Sequence, residues 1–219
     1  MEDSGGQNAG AARASAEDEG ARRPARLPRA QRRAQLLEAA HRVFVANGYH
    51  GAAMDDIADR AQVSKPVLYQ HFPGKRELYL ALIDQHLAVL TEAMVAALRS
   101  TADNKERVNA AIRTYFDFVA ADHQAHRLVF ESDLLNDDEV SGRFDEFNAR
   151  IADEIANVIA GDTNLDQARA LLLGRSLSGM AQVAARAWLE VADQVDLDEA
   201  SELVARLAWR GIGRFPKES

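Results

Sequence analysis

The stretch MDDIADRAQVSKPVLYQHFPGK, residues 54–75, decides how this chain is read. Its apolar residues form two short helical faces separated by a tight turn. Ile57, Ala58 and Ala61 mark the first helix, expected over 54–61. Leu68 and Phe72 are four apart, so they share one face of a second helix. Ser64 is a favoured N-cap type, and Pro66 falls in the following first turn, where its missing N–H is no loss. Ala58 is small where two short helices must cross, and Val63 can plug the turn. Phe72-Pro73-Gly74 ends the second helix. The pattern is that of a helix-turn-helix.

With Leu68 and Phe72 turned inward, Lys65, Pro66, Val67, Tyr69 and Gln70 occupy the remaining faces of the second helix. DNA can use these groups. Lys donates to guanine O6 and N7, Gln pairs with adenine, and Val contacts a thymine methyl. Ser64, Tyr69 and His71 carry O–H or N–H groups of the kind that meet phosphate oxygens. Lys75 opens the next helix, whose backbone N–H groups and dipole also favour an anion. The blander alternative is two amphipathic helices that merely pack, with Tyr69, His71 and Phe72 as core aromatics.

Charge supports the first reading. The 219-residue chain has a formal net charge of −8. Within it, residues 22–76 carry eleven Lys/Arg against four Asp/Glu, while residues 77–219 carry fourteen against twenty-five. An acidic protein can bind DNA when its basic charge is gathered in one place. Residues 1–28 have almost nothing to bury and read as a disordered arm. Its Arg22, Arg23 and Arg26, with Arg29 just beyond, could follow a minor groove or a phosphate backbone. They could equally be a solubilising tail.

Around this segment the pattern is helical throughout. Leu36, Leu37, Ala40, Val43 and Phe44 give an apolar face from Arg29 onward, and Asn47-Gly48 is expected to stop that helix. Further helices are expected at 75–100, 104–121, 124–135, 138–160, 165–190 and 197–212. No segment shows sustained period-two alternation. The fold class is therefore all-α: an N-terminal three-helix domain with a helix-turn-helix over 29–75, and a C-terminal helical domain over 76–219. No cysteine is present, so disulfides, thiolate zinc sites and cysteine nucleophiles are excluded. No uninterrupted apolar run approaches the ~18 residues of a membrane span, and the acidic start lacks a secretory h-region. A cytoplasmic home without a membrane partner is expected.

The segment from Arg29 to Leu82 resembles the TetR family of bacterial transcription regulators. VFVANGYHG, IADRAQVSK, LYQHF and GKRELYLALI carry the resemblance, in that order. It implies that Lys65, Pro66, Val67 and Gln70 face base edges, and that Ser64, Tyr69, His71 and Lys75 face phosphates. Family members often place Thr or Ser where this chain has Ala52-Ala53, so one capping and phosphate-touching hydroxyl is missing. LPRAQRRAQLL, VFVANGYHGAAMDDIADRAQVSKPVLYQHF and FDFVAADHQAHRLVFESD further resemble an actinobacterial member that controls fatty-acid synthesis. That resemblance implies a long-chain acyl-CoA effector and gene activation. The family alternative is a repressor of an efflux or catabolic operon with another apolar effector.

The C-terminal domain offers candidates for both ligand and partner. Tyr115, Phe116, Phe118, Phe130, Leu134, Phe144 and Phe147 fall largely at helical intervals and fill either a core or an apolar effector pocket. Leu173, Leu177, Met180, Ala184, Trp188, Leu203 and Leu207 lie on two apolar helices that need cover on more than one side. The resemblance implies that these helices pair with their mates in a homodimer, which would read an approximately palindromic double-stranded operator. No cofactor is expected. His123 and His126 lack a third metal ligand, Asp137-Asp138-Glu139 suits a helix start, and Ser176 and Ser178 have no nucleophile elbow. A small helical enzyme or ligand carrier is the remaining, non-regulatory alternative.

Overall fold

The computed structural model describes residues 27–121 and 137–212. They form eight α-helices: α1 (Arg29–Gly51), α2 (Met54–Arg60), α3 (Lys65–His71), α4 (Lys75–Arg99), α5 (Asn104–Ala121), α6 (Asp138–Asp162), α7 (Gln167–Trp188) and α8 (Leu197–Ile212). No β-strand occurs among the described residues. The helix expected over 124–135 lies outside them.

Helices α1 to α3 enclose a small core. Leu36, Ala40 and Phe44 of α1 meet Ile57 and Ala58 of α2, with Leu68 of α3 and Phe72 closing the third side; all are buried. Each fully buried large apolar side chain contributes about 1.5–3 kcal/mol. α1 does not stop at Asn47-Gly48 as expected. Gly48 takes φ +68° and kinks the helix, after which a further turn runs to Gly51. This positive-φ glycine, extended at ψ 172°, bends a helix instead of ending it.

α4 joins the two halves. Its first turns pack on α1, and its length carries it onto α5 and α6. It is long and apolar enough to cross a membrane, with a mean hydropathy of 1.4 over its best window. However, Leu78, Tyr79, Leu82, Ile83, Leu90 and Met94 are buried within the protein, so it is a core helix. Three ion-pair sites tie it to α6 along its length. Arg76 meets Asp137 (2.8 Å) and Glu139, Asp84 meets Arg143 (2.7 Å), and Arg99 meets Glu154 (3.2 Å). The rising residue numbers on both helices show that they run in the same direction.

The remaining helices close the C-terminal unit. α6 packs chiefly on α7, and α5 on α8. The α6–α7 crossing is tight at Gly174, where an added Cβ would lie 2.4 Å from the Ala152 carbonyl oxygen. Asp137 caps α6 as the acidic run suggested, accepting hydrogen bonds from the Glu139 and Val140 amides. Its salt bridge to Arg76, followed by these amides, holds its carboxyl below the usual range.

Candidate nucleic-acid interface and effector cavity

The turn between α2 and α3 is built by backbone alone. The Val63 amide donates to the Ala58 carbonyl and the Gln62 amide to that of Asp59, both at 3.0 Å. This is a Schellman closure with Gln62 in the left-handed position (φ 55°) that glycine usually takes. From α1, Gln35 Nε2 donates to the Ala61 carbonyl (2.8 Å), while its Oε1 accepts from Arg32 (2.6 Å). The turn is thereby fixed to the first helix.

This frame turns one face of α3 outward. Leu68 is buried, while Ser64, Lys65, Pro66, Tyr69 and Gln70 are exposed and Val67 and His71 are partly so. Tyr69 is thus not a core aromatic. Ser64 takes the N-cap position but makes no side-chain cap bond. Lys65 reaches across to Asp55 of α2 at 2.6 Å, with both side chains more than half exposed. His71 is held below its ordinary pKa, first by partial burial and then by the positive charges of Arg29, Arg32 and Arg33. Arg29 therefore belongs to this basic cluster, and Arg22, Arg23 and Arg26 lie outside the described residues.

Lys75 does something the sequence did not suggest. Its ammonium donates to the carbonyls of Tyr49 (2.9 Å), His50 (3.4 Å) and Ala52 (3.0 Å) and sits 4.7 Å from the centre of the Tyr49 ring. An ammonium has three N–H donors, and all three are used at the end of α1. In the free protein Lys75 therefore caps the end of α1. Ala53, as expected, caps α2 without a side-chain bond.

A second feature lies at the far end of α4. A cavity of about 230 Å³ opens between the C-terminal part of α4 (Met94, Leu98), the first half of α5 (Val108, Ala111, Ile112), α6 (Ile155, Ile159), α7 (Leu173, Leu177) and Trp209 of α8. At 1.5 Å per residue, Met94 lies about 28 Å along α4 from Lys75. Its walls are mainly aliphatic. Among the described residues none of the expected aromatics lines it: Tyr115, Phe116, Phe144 and Phe147 are buried core and Phe118 is half-buried. Burial raises the pKa of the Tyr115 phenol. Phe130 and Leu134 lie outside the described residues.

The candidate interface residues also divide. Leu173 and Leu177 line the cavity. Trp188 turns inward, donating to the Val195 carbonyl (2.8 Å) beside the Phe116 ring. Met180 and Ala184 are half-buried. Leu203 and Leu207 do face out, and so do Leu172 and Val183 of α7. Leu172, Ser176, Gly179 and Val183 follow helical intervals, a periodicity that could have found this stripe. Among the described residues no cluster of three potential metal ligands occurs.

A basic helix-turn-helix joined by one long helix to an all-helical unit with an apolar cavity defines a DNA-binding regulator with a sensing domain. Residues 36–82 match the bacterial regulatory proteins of the tetR family. The HTH-type transcriptional activator FasR of Mycolicibacterium smegmatis is 43% identical over 197 residues, 90% of each chain. A TetR-like regulator from Rhodococcus sp. RHA1 superposes with TM-score 0.69 at 28% identity, covering 86% of this chain and all of that one. The regulator FadR of Bacillus subtilis, solved in complex with stearoyl-CoA, shares the fold at TM-score 0.66 and 22% identity, over 80% of this chain and 96% of its own. The chain belongs to the TetR family and is a sequence-specific DNA-binding transcriptional regulator.

Proposed function

We propose that the protein is a homodimeric, ligand-responsive regulator of fatty-acid or lipid genes, with the DNA-binding unit at 29–75 and the effector and dimerisation unit at 76–219. Lys65, Pro66, Val67 and Gln70 read base edges, while Ser64, Tyr69 and His71, with the Arg29 end of the arm, follow phosphates. Two copies related by a two-fold axis read an approximate palindrome. The effector is a long-chain acyl-CoA. The cavity is the observation that carries this reading: its aliphatic walls suit an acyl chain, and a relative of the same fold was solved with stearoyl-CoA. The 43% identity to an activator favours activation over repression.

Ligand can change DNA affinity only through unequal binding to two states of the protein. α4 is the mechanical candidate, since it lines the cavity at Met94 and Leu98 and meets α1 at its other end. The protein acts in the cytoplasm. The test is genomic footprinting of purified protein with and without palmitoyl-CoA. Sites beside lipid-synthesis genes whose occupancy follows palmitoyl-CoA are expected. Sites beside efflux or catabolic operons, indifferent to palmitoyl-CoA, would replace this reading.

A further inference from the structure

The first turn of α4 grips two other elements with neighbouring side chains. Lys75 holds the end of α1 through the Tyr49, His50 and Ala52 carbonyls. Arg76, the next residue, holds the start of α6. Its Nη2 donates to both carboxylate oxygens of Asp137 (2.8 and 3.0 Å), and its Nη1 donates to Glu139. Asp137 cannot simply follow Arg76, because it is also the N-cap of α6 and accepts from the Glu139 and Val140 amides. Tyr49 of α1 feels both partners: burial raises its pKa, Arg76 opposes the rise, and Glu77 and Asp137 add to it. The end of α1 and the starts of α4 and α6 thus meet at one polar clasp.

From this clasp α6 runs to the cavity. Ile155, where α6 first reaches the wall, lies about 26 Å along the helix from Asp138. α6 supplies Ile155, Val158, Ile159 and Asp162 to the wall, whereas α4 supplies Met94 and Leu98. An occupant that presses on the wall therefore bears on α6 at least as much as on α4. Helices at switching interfaces move by about 1–2 Å. A slide of that size carries the Asp137 carboxylate out of reach of Arg76, since such bonds weaken beyond ~3.2 Å. An exposed ion pair shifts an equilibrium by up to about fivefold, which meets the lower end of allosteric couplings, about 5–150-fold. We propose that Arg76 is a positioning residue that relays the state of the cavity to the DNA-binding unit: its clasp on Asp137 and Glu139 is made in one position of α6 and lost in another. This rests on the cavity being the effector site, and it adds α6 as a second lever beside α4.

The test is a double-mutant cycle on full-length protein. Its readout is the ratio of affinities for a footprinted DNA site with and without submicellar palmitoyl-CoA. A ratio cancels any direct contact between Arg76 and phosphate. Arg76→Gln removes the guanidinium, and Asp137→Asn removes the carboxylate charge but keeps an N-cap side chain. Each is expected to move the ratio about three- to fivefold towards unity, and the double variant should go no further than either single one. Trp209 stands in the cavity wall, so its fluorescence reports palmitoyl-CoA binding, which should agree within about twofold in all four proteins. Circular dichroism establishes folding, and either folded single variant decides the matter. An unchanged ratio, or effects that add in the double variant, overturns the proposal. So does an Arg76→Gln that weakens DNA binding equally with and without palmitoyl-CoA, which makes Arg76 a phosphate contact. In those cases the wild type still responds, and the effector reading stands. If palmitoyl-CoA changes neither Trp209 fluorescence nor DNA affinity in the wild type, the effector reading falls and the clasp falls with it.

Discussion

At the residue scale, the free protein's recognition surface is partly self-neutralised. Lys65 lies at the start of α3, but its ammonium rests on Asp55 of α2. An exposed pair of this kind is worth no more than about 1 kcal/mol, so DNA can displace it, yet the carboxylate still repels phosphate. Asp55→Asn is expected to tighten DNA binding about three- to tenfold and to steepen its salt dependence, since one more cation is free to release counterions. It should also cost a few tenths of a kcal/mol in stability, because Asp55 sits in the first turn of α2. Mobility shifts across a salt series and a thermal melt measure the two opposite effects. His71 gives a second signature. Its pKa lies below the ordinary value in the free protein, and a phosphate beside it would raise that pKa. Binding then takes up a proton. Affinity therefore grows as pH falls through the interval between the bound and free values, and levels off below the free one. In His71→Gln this growth should vanish, and an unchanged pH profile would take His71 off the phosphate.

Elements were the most legible level. α4, α5, α6 and α8 begin where periodicity, caps and breaks placed them, because Gly74, Asp103-Asn104, Asp137 and Asp196 mark those starts in local chemistry. The failures share one cause: tertiary contacts leave no local mark. Gly48 looks the same whether it ends a helix or kinks it. Lys75 looks like a free cation until α1 folds back over it. Lys75→Met should therefore cost about 2 kcal/mol through lost charged hydrogen bonds, lowering Tm by about 4–8 °C. It should leave the salt slope of DNA binding unchanged. A slope reduced by about one would restore a phosphate role. The α6–α7 crossing makes a similar point with a glycine. Gly174→Ala would gain helix propensity of up to about 1 kcal/mol, but its methyl collides with the Ala152 carbonyl and crowds the Ala156 amide. Overpacking of this kind costs about 1–3 kcal/mol, so with helices forced apart at a backbone contact a net loss of stability is expected in a denaturant melt. Because both helices line the cavity, the variant should also weaken its ligand response.

For the whole molecule, the sequence located an apolar C-terminal surface but could not divide it. Leucines of α7 that face the cavity and leucines that face solvent differ by one position, Leu172 and Leu173, and composition cannot tell them apart. The structure divides them. Leu172, Val183 and Leu207 are each more than 60% exposed, and Leu203 extends the same face of α8 one turn earlier. Scattered exposed apolar residues are normal, but rows of them on two packed helices are where the proposed dimer would bury its surface. A two-fold axis through it would count every contact twice. Leu207→Glu then buries two uncompensated carboxylates per dimer. That should weaken dimerisation at least about a hundredfold, or roughly 3 kcal/mol, while circular dichroism of the subunit stays unchanged because Leu207 is exposed there. Operator binding should collapse with it, since a half-site engaged alone loses the effective concentration supplied by its linked mate. Light scattering with mobility shifts on whole and half operators reads both effects. A Leu207→Glu protein that remains dimeric and binds the whole operator as before would place the partner on a different face.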